Sequence, residues 1–229
     1  MTDCCNHGLE NSCLHRVPIF EALLEEEITD LNGLVISKPY RKGETVFLEG
    51  EKSDSLFIVN QGTVKLYKSS ELGKEQTIRF LFSGDFFGQL ALLQEQSHYA
   101  SAEAIESAVV CRIEKKDFHR LLESNHRLAY RVLLAVSDRL QQADEWMGTI
   151  SLFETDKRLA KTLIHFYEKN GASGNLQLPV PKKELAAWLG TTPETLSRKL
   201  AHFEELGLLA MEGRSIRILQ PEELLEYAR

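Results

Sequence analysis

Three polar residues near the end of the chain have the types and the spacing that base recognition requires. Glu194, Ser197 and Arg198 stand at positions i, i+3 and i+4, so on a helix they would point outward from one face. A carboxylate accepts from cytosine N4, a guanidinium donates to guanine O6 and N7, and a hydroxyl can do either. The pattern predicts a segment that reads the major groove of double-stranded DNA.

The residues around this trio predict the turn and the helix that would present it. Residues 183–189 carry apolar residues at helical intervals, and Gly190 tolerates the positive φ of a tight turn. Thr192 can cap the next helix, and Pro193 suits its first position, where an N–H would have no partner. The apolar face of that helix is predicted to pack on the core, and it consists of Leu196, Leu200, Phe203 and Leu206.

Two apolar segments after this helix predict a β-hairpin. Gly207 suits the helix end, and residues 208–211 and 215–219 predict two short strands joined by residues 212–214. A helix-turn-helix followed by such a wing predicts a winged helix-turn-helix domain over residues 155–229. The predicted DNA contacts are Glu194, Ser197, Arg198, Thr192, Thr195, Lys199 and Arg214. The alternative is a plain surface helix with an exposed ion pair between its carboxylate and its guanidinium.

Length, composition and charge limit what the rest of the chain can be. A chain of 229 residues with 43% hydrophobic content is enough for one or two packed domains. The net charge is −7, but residues 155–229 carry +1 and residues 1–154 carry −8, so the acidic part is not the part predicted to face DNA. The sequence contains no apolar run of 18 residues and no charged-then-apolar leader, which predicts a cytoplasmic protein with no membrane partner.

The region over residues 17–120 predicts a β-rich domain. An acidic helical lead-in over residues 17–34 is followed by short apolar segments between regularly placed glycines. Short strands at such spacing, with turn residues between them, are typical of an antiparallel sandwich or barrel, here closing with residues 108–113.

A heptad stripe then predicts a long helix over residues 121–152. Apolar residues alternate at steps of four and three, which is the pattern of a two-helix seam. The predicted dimer contacts are Leu133, Val136, Leu140, Ala143, Met147 and Ile150, preceded by Ala129. The alternative is that the stripe packs on the neighbouring β domain.

In this order, the elements resemble the Crp/Fnr family of bacterial transcription regulators over nearly the entire chain. Residues 42–50, 55–67 and 84–88 are similar to the family's early sensor strands and barrel loop. Residues 194–198 match the Glu-x-x-Ser-Arg pattern of the Fnr branch, whose members recognise inverted repeats similar to TTGAT and ATCAA. The resemblance implies an α+β fold with an N-terminal β jelly-roll sensor domain of cyclic-nucleotide-binding type, a dimerisation helix and the DNA reader. It also implies a homodimer that works with RNA polymerase.

Two departures from the family pattern argue against a cyclic nucleotide as the signal. Members that bind cyclic AMP resemble one another in a Gly-Glu-Leu loop and an Arg-Ser pair, which hold the ribose and the phosphate. This chain has Gln89 in that loop, and His98 and Tyr99 lie near the place of the pair. Without the acid and the arginine, we do not expect cyclic nucleotide binding.

Four cysteines offer other signals. Cys4, Cys5 and Cys13 lie in the N-terminal segment 1–16, and Cys111 stands where the Fnr branch has its internal cluster ligand. The resemblance to Fnr implies a [4Fe–4S] cluster, although adjacent cysteines depart from the Fnr spacing. The Fnr-like proteins of lactic acid bacteria are more similar, and that resemblance implies a reversible disulfide between an N-terminal cysteine and Cys111, with no cofactor.

Two further interpretations of the cysteines stay open. Sulfur and imidazole ligands at the density of the N-terminal segment, which also has His7 and His15, suit Zn²⁺, although the spacing matches no standard zinc site. A cysteine on a strand face between Val109 and Ile113 can also be a small buried hydrophobic residue.

The remaining histidines are scattered singly and no catalytic motif is present, so we do not expect an enzyme.

Overall fold

The computed structural model of the chain describes residues 13–73, 75–169, 175–212 and 215–228. It consists of two compact units, Met1–Gln141 and Gln142–Arg229. No helix in these described ranges is both long and apolar enough to cross a membrane.

Eight strands of the first unit form two antiparallel four-stranded sheets. The strands are β1 Ile36–Tyr40, β2 Thr45–Phe47, β3 Ser55–Gln61, β4 Val64–Ser69, β5 Glu75–Leu81, β6 Phe86–Phe87, β7 Ser101–Ala104 and β8 Ala108–Glu114. Their orders are β1-β8-β3-β6 and β2-β7-β4-β5. The predicted β sandwich is confirmed, and residues 108–113, predicted to close it, lie within β8.

Apolar side chains from both sheets fill the space between them. Phe47 of one sheet lies with its ring centroid 5.2 Å from that of Phe57 and 5.7 Å from that of Phe87 in the other sheet. Val59, Val64, Leu66, Leu81 and Val110 belong to the same buried cluster. The alternation of these residues along their strands directs every second side chain inward.

A second apolar cluster lies on the outer face of the β1-β8-β3-β6 sheet. Two short 3-10 helices, Cys13–Arg16 and Pro18–Ala22, and α1 Glu25–Asn32 contribute Leu14, Val17, Phe20 and Leu31 to it. The lead-in predicted over residues 17–34 is thus helical but broken into pieces. Helix α3 Lys115–Ser124, which follows β8 in the sequence, adds Phe118 to the cluster.

The predicted long helix is present but begins later than expected. Helix α4 extends over His126–Leu152, and Asn125 separates it from α3. The Asn125 side chain explains the break, because its Oδ1 accepts a hydrogen bond from the Leu128 N–H at 2.9 Å and so caps the new helix. Leu128 and Val132 pack against the second cluster of the sandwich.

The second unit contains the helices and the small sheet predicted for a winged helix-turn-helix. Its helices after α4 are α5 Thr155–Lys169, α6 Lys182–Trp188, α7 Pro193–Glu205 and α8 Pro221–Tyr227. The remaining short helix, α2 Gln89–Leu93, belongs to the first unit. Strands β9 Asn175–Gln177, β10 Leu209–Glu212 and β11 Ser215–Ile218 form a sheet of order β10-β11-β9. Both predicted wing strands are confirmed.

Candidate nucleic-acid interface and sensor sites

The start of α7 has the capped geometry that its sequence predicts. Gly190 adopts φ +67° at the turn between α6 and α7. The Thr192 hydroxyl accepts a hydrogen bond from the Thr195 N–H at 3.3 Å, and Pro193 occupies the first helical turn. Leu196, Leu200 and Phe203 are buried, so one face of the helix is fixed on the core.

The opposite side of α7 exposes the three residues predicted to read bases. Glu194, Ser197 and Arg198 are all solvent-exposed. Hydrogen bonds from its own backbone N–H and then from the Thr192 hydroxyl lower the pKa of Glu194 below its usual value. The helix therefore presents an ionised acceptor, a hydroxyl and a guanidinium together at neutral pH.

Lys199 does not accompany this trio. Its Nζ lies 3.1 Å from Asp156 Oδ2 of α5, and the Tyr227 hydroxyl of α8 donates to the same oxygen at 3.4 Å. The ion pair and this hydrogen bond together join three helices of the second unit. A DNA contact of Lys199 stays a prediction, and in the described structure a carboxylate of the fold holds its ammonium.

The other predicted DNA contacts differ in their exposure to solvent. Thr192 is exposed, and Thr195 is half-buried beside it. Arg214 lies outside the described residues. Leu206 was predicted to continue the buried face but is 48% exposed, because α7 ends at Glu205 and the chain turns away at Gly207.

The heptad stripe of α4 is largely uncovered. Leu133, Leu140 and Met147 are 65%, 64% and 61% exposed, and Ala143 and Ile150 are also exposed. Val136 differs, because it is half-buried and packs against the second cluster of the sandwich. The alternative that the stripe covers the sandwich therefore applies to one of the six predicted dimer contacts.

Cys111 is fully buried in the second cluster, on the outer face of the β1-β8-β3-β6 sheet. Its Sγ lies 3.2 Å from the Ser37 Oγ of the adjacent strand β1, and its neighbours are the apolar residues of the second cluster. Cys13 begins the first 3-10 helix, whose next residue, Leu14, belongs to the same cluster. Cys4 and Cys5 lie outside the described residues.

A small cavity lies at the edge of the sandwich, where the sequence has the departures at Gln89, His98 and Tyr99. It encloses about 20 Å³ and is also lined by Phe47, Leu66, Phe87, Arg79 and Arg139. The His98 ring stacks on Phe47 with 3.5 Å between the ring centroids. Burial lowers the pKa of His98, although the charges of Glu51 and Asp54 oppose the shift.

The sequence matches two family models and many known regulators. Residues 37–125 match the cyclic nucleotide-binding domain, and residues 157–227 match the Crp-like helix-turn-helix domain. The anaerobic regulatory protein of Haemophilus influenzae is 30% identical over 209 residues, which are 89% of this chain and 81% of that protein. The chain belongs to the Crp/Fnr family of transcription regulators.

Two further relatives agree with this assignment. The transcriptional regulator flp of Lacticaseibacillus casei is 29% identical over 220 residues, which are 96% of this chain and 100% of that protein. The structure of FixK2 from Bradyrhizobium japonicum matches with a TM-score of 0.79 and 26% identity, covering 85% of this chain and 98% of that chain. As a Crp/Fnr protein, the chain is a DNA-binding regulator and not an enzyme.

The described surroundings of Cys111 do not fit the [4Fe–4S] cluster of the Fnr branch of Crp/Fnr proteins. A cubane cluster needs open space beside the ligating sulfur and three more ligands around it. The Cys111 sulfur instead faces Ser37 and tightly packed aliphatic residues. Over the described ranges, no three His, Cys, Asp or Glu side chains come together as a metal site.

The sequence reasoning missed the two arginines of the cavity. Arg79 lies on β5 and Arg139 on α4, so neither is near the motif that identifies a Crp/Fnr sensor. Arg139 could have been noticed from the helical pattern, because Val132 and Val136 precede it on the side of α4 that packs on the sandwich. Nothing in the sequence alone joins it to Arg79.

Proposed function

We propose that this Crp/Fnr chain is a homodimeric regulator that recognises TTGAT-like inverted repeats and whose DNA binding is controlled by thiol oxidation at Cys111. The observation that carries the DNA part is the common exposure of Glu194, Ser197 and Arg198 on a helix whose opposite face is buried. Arg198 can donate to the O6 and N7 acceptors of guanine and Glu194 can accept from cytosine N4, so these groups complement the G·C pair of such a repeat in the major groove.

The dimer is supported by the exposed apolar stripe of α4. Leu133, Leu140 and Met147 repeat along one side of the helix and are uncovered in a single chain. A second copy of the helix would bury them as a coiled-coil seam, and a two-fold protein matches a two-fold repeat in DNA. RNA polymerase as a further partner stays a prediction from the family resemblance.

The thiol control is supported by the position of the segment that follows the N-terminal cysteines. Leu14 packs in the cluster that contains Cys111, and Arg16 Nη1 donates to the Asn60 carbonyl at 3.3 Å. At Gly84 an added Cβ would lie 2.5 Å from the Arg16 carbonyl oxygen, so the segment and the sandwich approach closely. Residues 14–16, which follow these cysteines in the sequence, therefore lie close to the sandwich that contains Cys111.

The chemistry of the control is disulfide formation. Two thiols lose two protons and two electrons to an oxidant such as dioxygen, and one S–S bond forms. The bond would tether the N-terminal segment to β8. It changes DNA binding provided that it forms in only one of two conformations of the sensor.

A gel-shift experiment tests the DNA part. Reduced and oxidised protein are titrated against a duplex with TTGAT and ATCAA half-sites and against a duplex of the same composition with scrambled half-sites. We expect tighter binding to the repeat in at least one redox state, weakening steeply with salt. Equal binding to both duplexes in both states would contradict the proposal.

Light scattering tests the dimer. We expect the Leu140→Glu variant to dissociate into monomers, because it places a charge in the proposed seam.

Thiol titration with peptide mapping tests the redox part. Mild oxidation should remove two free thiols per chain and give a peptide pair that contains Cys111, and Cys111→Ser should abolish both changes together with the redox dependence of DNA binding. Stoichiometric iron and sulfide in protein purified without oxygen would instead indicate a cluster, and stoichiometric zinc would indicate a metal site. An unchanged thiol count would indicate inert cysteines.

A further inference from the structure

The two tryptophans of the chain lie face to face in the second unit, although they are far apart in the sequence. Trp146 belongs to the last turns of α4, and Trp188 ends α6, the first helix of the helix-turn-helix. Their ring centroids lie 4.2 Å apart, and their planes are within 16° of parallel. Two large rings in contact fix their helices more strictly than flexible aliphatic side chains do. The stack therefore joins the predicted dimer helix directly to the reader.

A second contact holds the end of α4 to the helix that follows it. Arg158 of α5 donates from Nη1 to the Ile150 carbonyl at 3.2 Å and from Nη2 to the Thr155 hydroxyl at 3.2 Å. The Ile150 carbonyl is one of the last four of α4, which have no partner within the helix, so Arg158 acts as a C-terminal cap. The last turns of α4 are thus attached to both α5 and α6.

The same turns of α4 carry the end of the predicted dimer seam on another face. Met147 and Ile150 are 61% and 38% exposed, whereas Trp146 is half-buried and Thr149 is buried. Each of these pairs has the spacing i, i+3 that places two residues on one side of a helix. One face of α4 is therefore open to a second copy of the chain, while the neighbouring face carries the tryptophan that contacts its own reader.

We propose that the Trp146–Trp188 stack determines the spacing between the two half-sites that the dimer accepts in DNA. This role rests on the proposed function, in which two chains pair through α4 and each α7 reads one half-site. One added base pair moves a half-site by about 3.4 Å along the duplex and turns it by about 35°. A reader fixed to the seam through the stack cannot follow this displacement. The two tryptophans are then positioning residues for spacing, while Glu194 and Arg198 select the bases.

Gel shifts with a series of duplexes test the role in spacing. Each duplex has the same TTGAT and ATCAA half-sites, and the spacer between them is lengthened or shortened by single base pairs. We expect the wild-type protein to prefer one spacer at least about tenfold over the adjacent lengths. Trp146→Leu and Trp188→Leu should each reduce this preference to less than about threefold, because the reader is no longer held by the stacked rings. Trp146→Phe, which keeps a ring, should restore the preference, and Leu152→Ala, an exposed change on α4, should not alter it.

Circular dichroism in the indole absorption region reports the stack without DNA. Because Trp146 and Trp188 are the only two tryptophans of the sequence, coupling between their stacked rings should give a pair of bands of opposite sign. Either leucine variant should abolish the pair. Trp146→Leu retains the whole test if Trp188→Leu does not fold. The double leucine variant should relax the spacer preference no further than one leucine variant does, because each change alone removes the stack.

The proposal is overturned if the wild-type protein lacks the paired bands, if both leucine variants keep the spacer preference, or if the double variant relaxes it additively. A leucine variant that is monomeric in light scattering would assign its tryptophan to the dimer contact and would also overturn the proposal. These failures leave the specific binding of the wild-type protein to the repeat intact. A wild-type protein that binds all spacers and the scrambled duplex equally would instead contradict the proposed function itself.

Discussion

The charged residues on the predicted reading face of α7 and those inside the β sandwich lie in opposite environments. Glu194 and Arg198 of the reader are exposed, on a helix fixed by its apolar face. In the sandwich, Lys65 and His98 are buried, and Arg139 is half-buried where it lines the cavity. Exposed charges are free to meet a partner and contribute little to folding, whereas buried charges must be balanced within the fold or by a ligand.

Two cations of the sandwich show how differently that balance is achieved. Lys65 lies 3.0 Å from Glu75 and 3.6 Å from Glu103, so its charge is neutralised by the neighbouring strands β5 and β7. Arg139 donates to the Phe86 carbonyl and lies over the Phe86 ring, and the charge of Asp85 also favours its protonated form. Lys65 is thus balanced by close ion pairs, whereas Arg139 is held mainly by a carbonyl and the face of a ring.

The variant with the largest expected effect tests whether Glu194, Ser197 and Arg198 depend on the buried face of α7 for their placement. Phe203→Ala removes a fully buried ring that contacts Tyr227 edge-on, with 5.1 Å between the centroids. We expect a loss of about 3–5 kcal/mol in the free energy of unfolding of the reader, measured by urea denaturation, with loss of DNA binding. Leu206→Ala on the exposed end of the helix should change the free energy by less than about 0.5 kcal/mol. Similar losses in both variants would contradict the arrangement.

The next effect separates binding from folding in the exposed trio. Arg198→Ala should weaken binding to the TTGAT-type repeat by about 1–3 kcal/mol and relax selectivity at one base pair, because a bidentate contact to guanine is lost. The unfolding midpoint should stay at the wild-type value, because Arg198 is exposed. Arg120→Ala, an equal loss of charge on α3 of the sandwich, serves as the control in gel shifts. Equal weakening in both variants would leave only a general electrostatic role.

The same contrast explains what the sequence could predict. Glu194, Thr192, Pro193 and Gly190 lie close together in sequence, so their spacing predicts the cap, the turn and the exposed face without knowledge of the rest of the fold. Cavity residues such as Arg79 and Arg139 meet only through the packing of a strand and a helix. No local pattern encodes that meeting, so the site is visible only in the structure.

Two residues of the reader, Lys199 and Leu206, stand at the limit of a sequence pattern. Lys199 stands three residues after the buried Leu196 and one before the buried Leu200, so its position borders the buried face and not the outward one. Leu206 continues the apolar spacing by one step beyond the last helical residue. Periodicity alone does not show where the helix stops or which border residues find an ion partner.

A smaller effect concerns the ion pair between Lys199 of α7 and Asp156 of α5. Burial raises the pKa of Asp156, but hydrogen bonds from Lys199 and from the Lys157 N–H more than offset this and hold it below its usual value. A lowered carboxyl pKa stabilises the fold above about pH 4, and this contribution is lost as the pH falls through the folded-state pKa. We expect Asp156→Asn to cost about 1–2 kcal/mol at pH 7, between exposed and buried ion pairs, and less in acid.

Tryptophan fluorescence can follow that unfolding, because Trp146 and Trp188 stack with 4.2 Å between their ring centroids in the same unit. The matched control is Glu222→Gln, which removes an acidic group from α8. A cost at pH 7 that persists unchanged at pH 3 would show that the ion pair is not its origin.

The smallest expected effect tests the neutral histidine of the cavity. Because burial places the folded-state pKa of His98 below its usual value near 6.5, the unfolded chain takes up a proton first as the pH is lowered. The free energy of unfolding should therefore fall below about pH 6.5 and level off once the folded-state pKa is passed. His98→Gln should remove this part of the pH dependence in urea denaturation, whereas His126→Gln, an exposed histidine at the start of α4, should keep it. An identical pH profile in wild type and His98→Gln would mean that the fold accommodates the charged ring, and the cavity would then contain three positive groups instead of two.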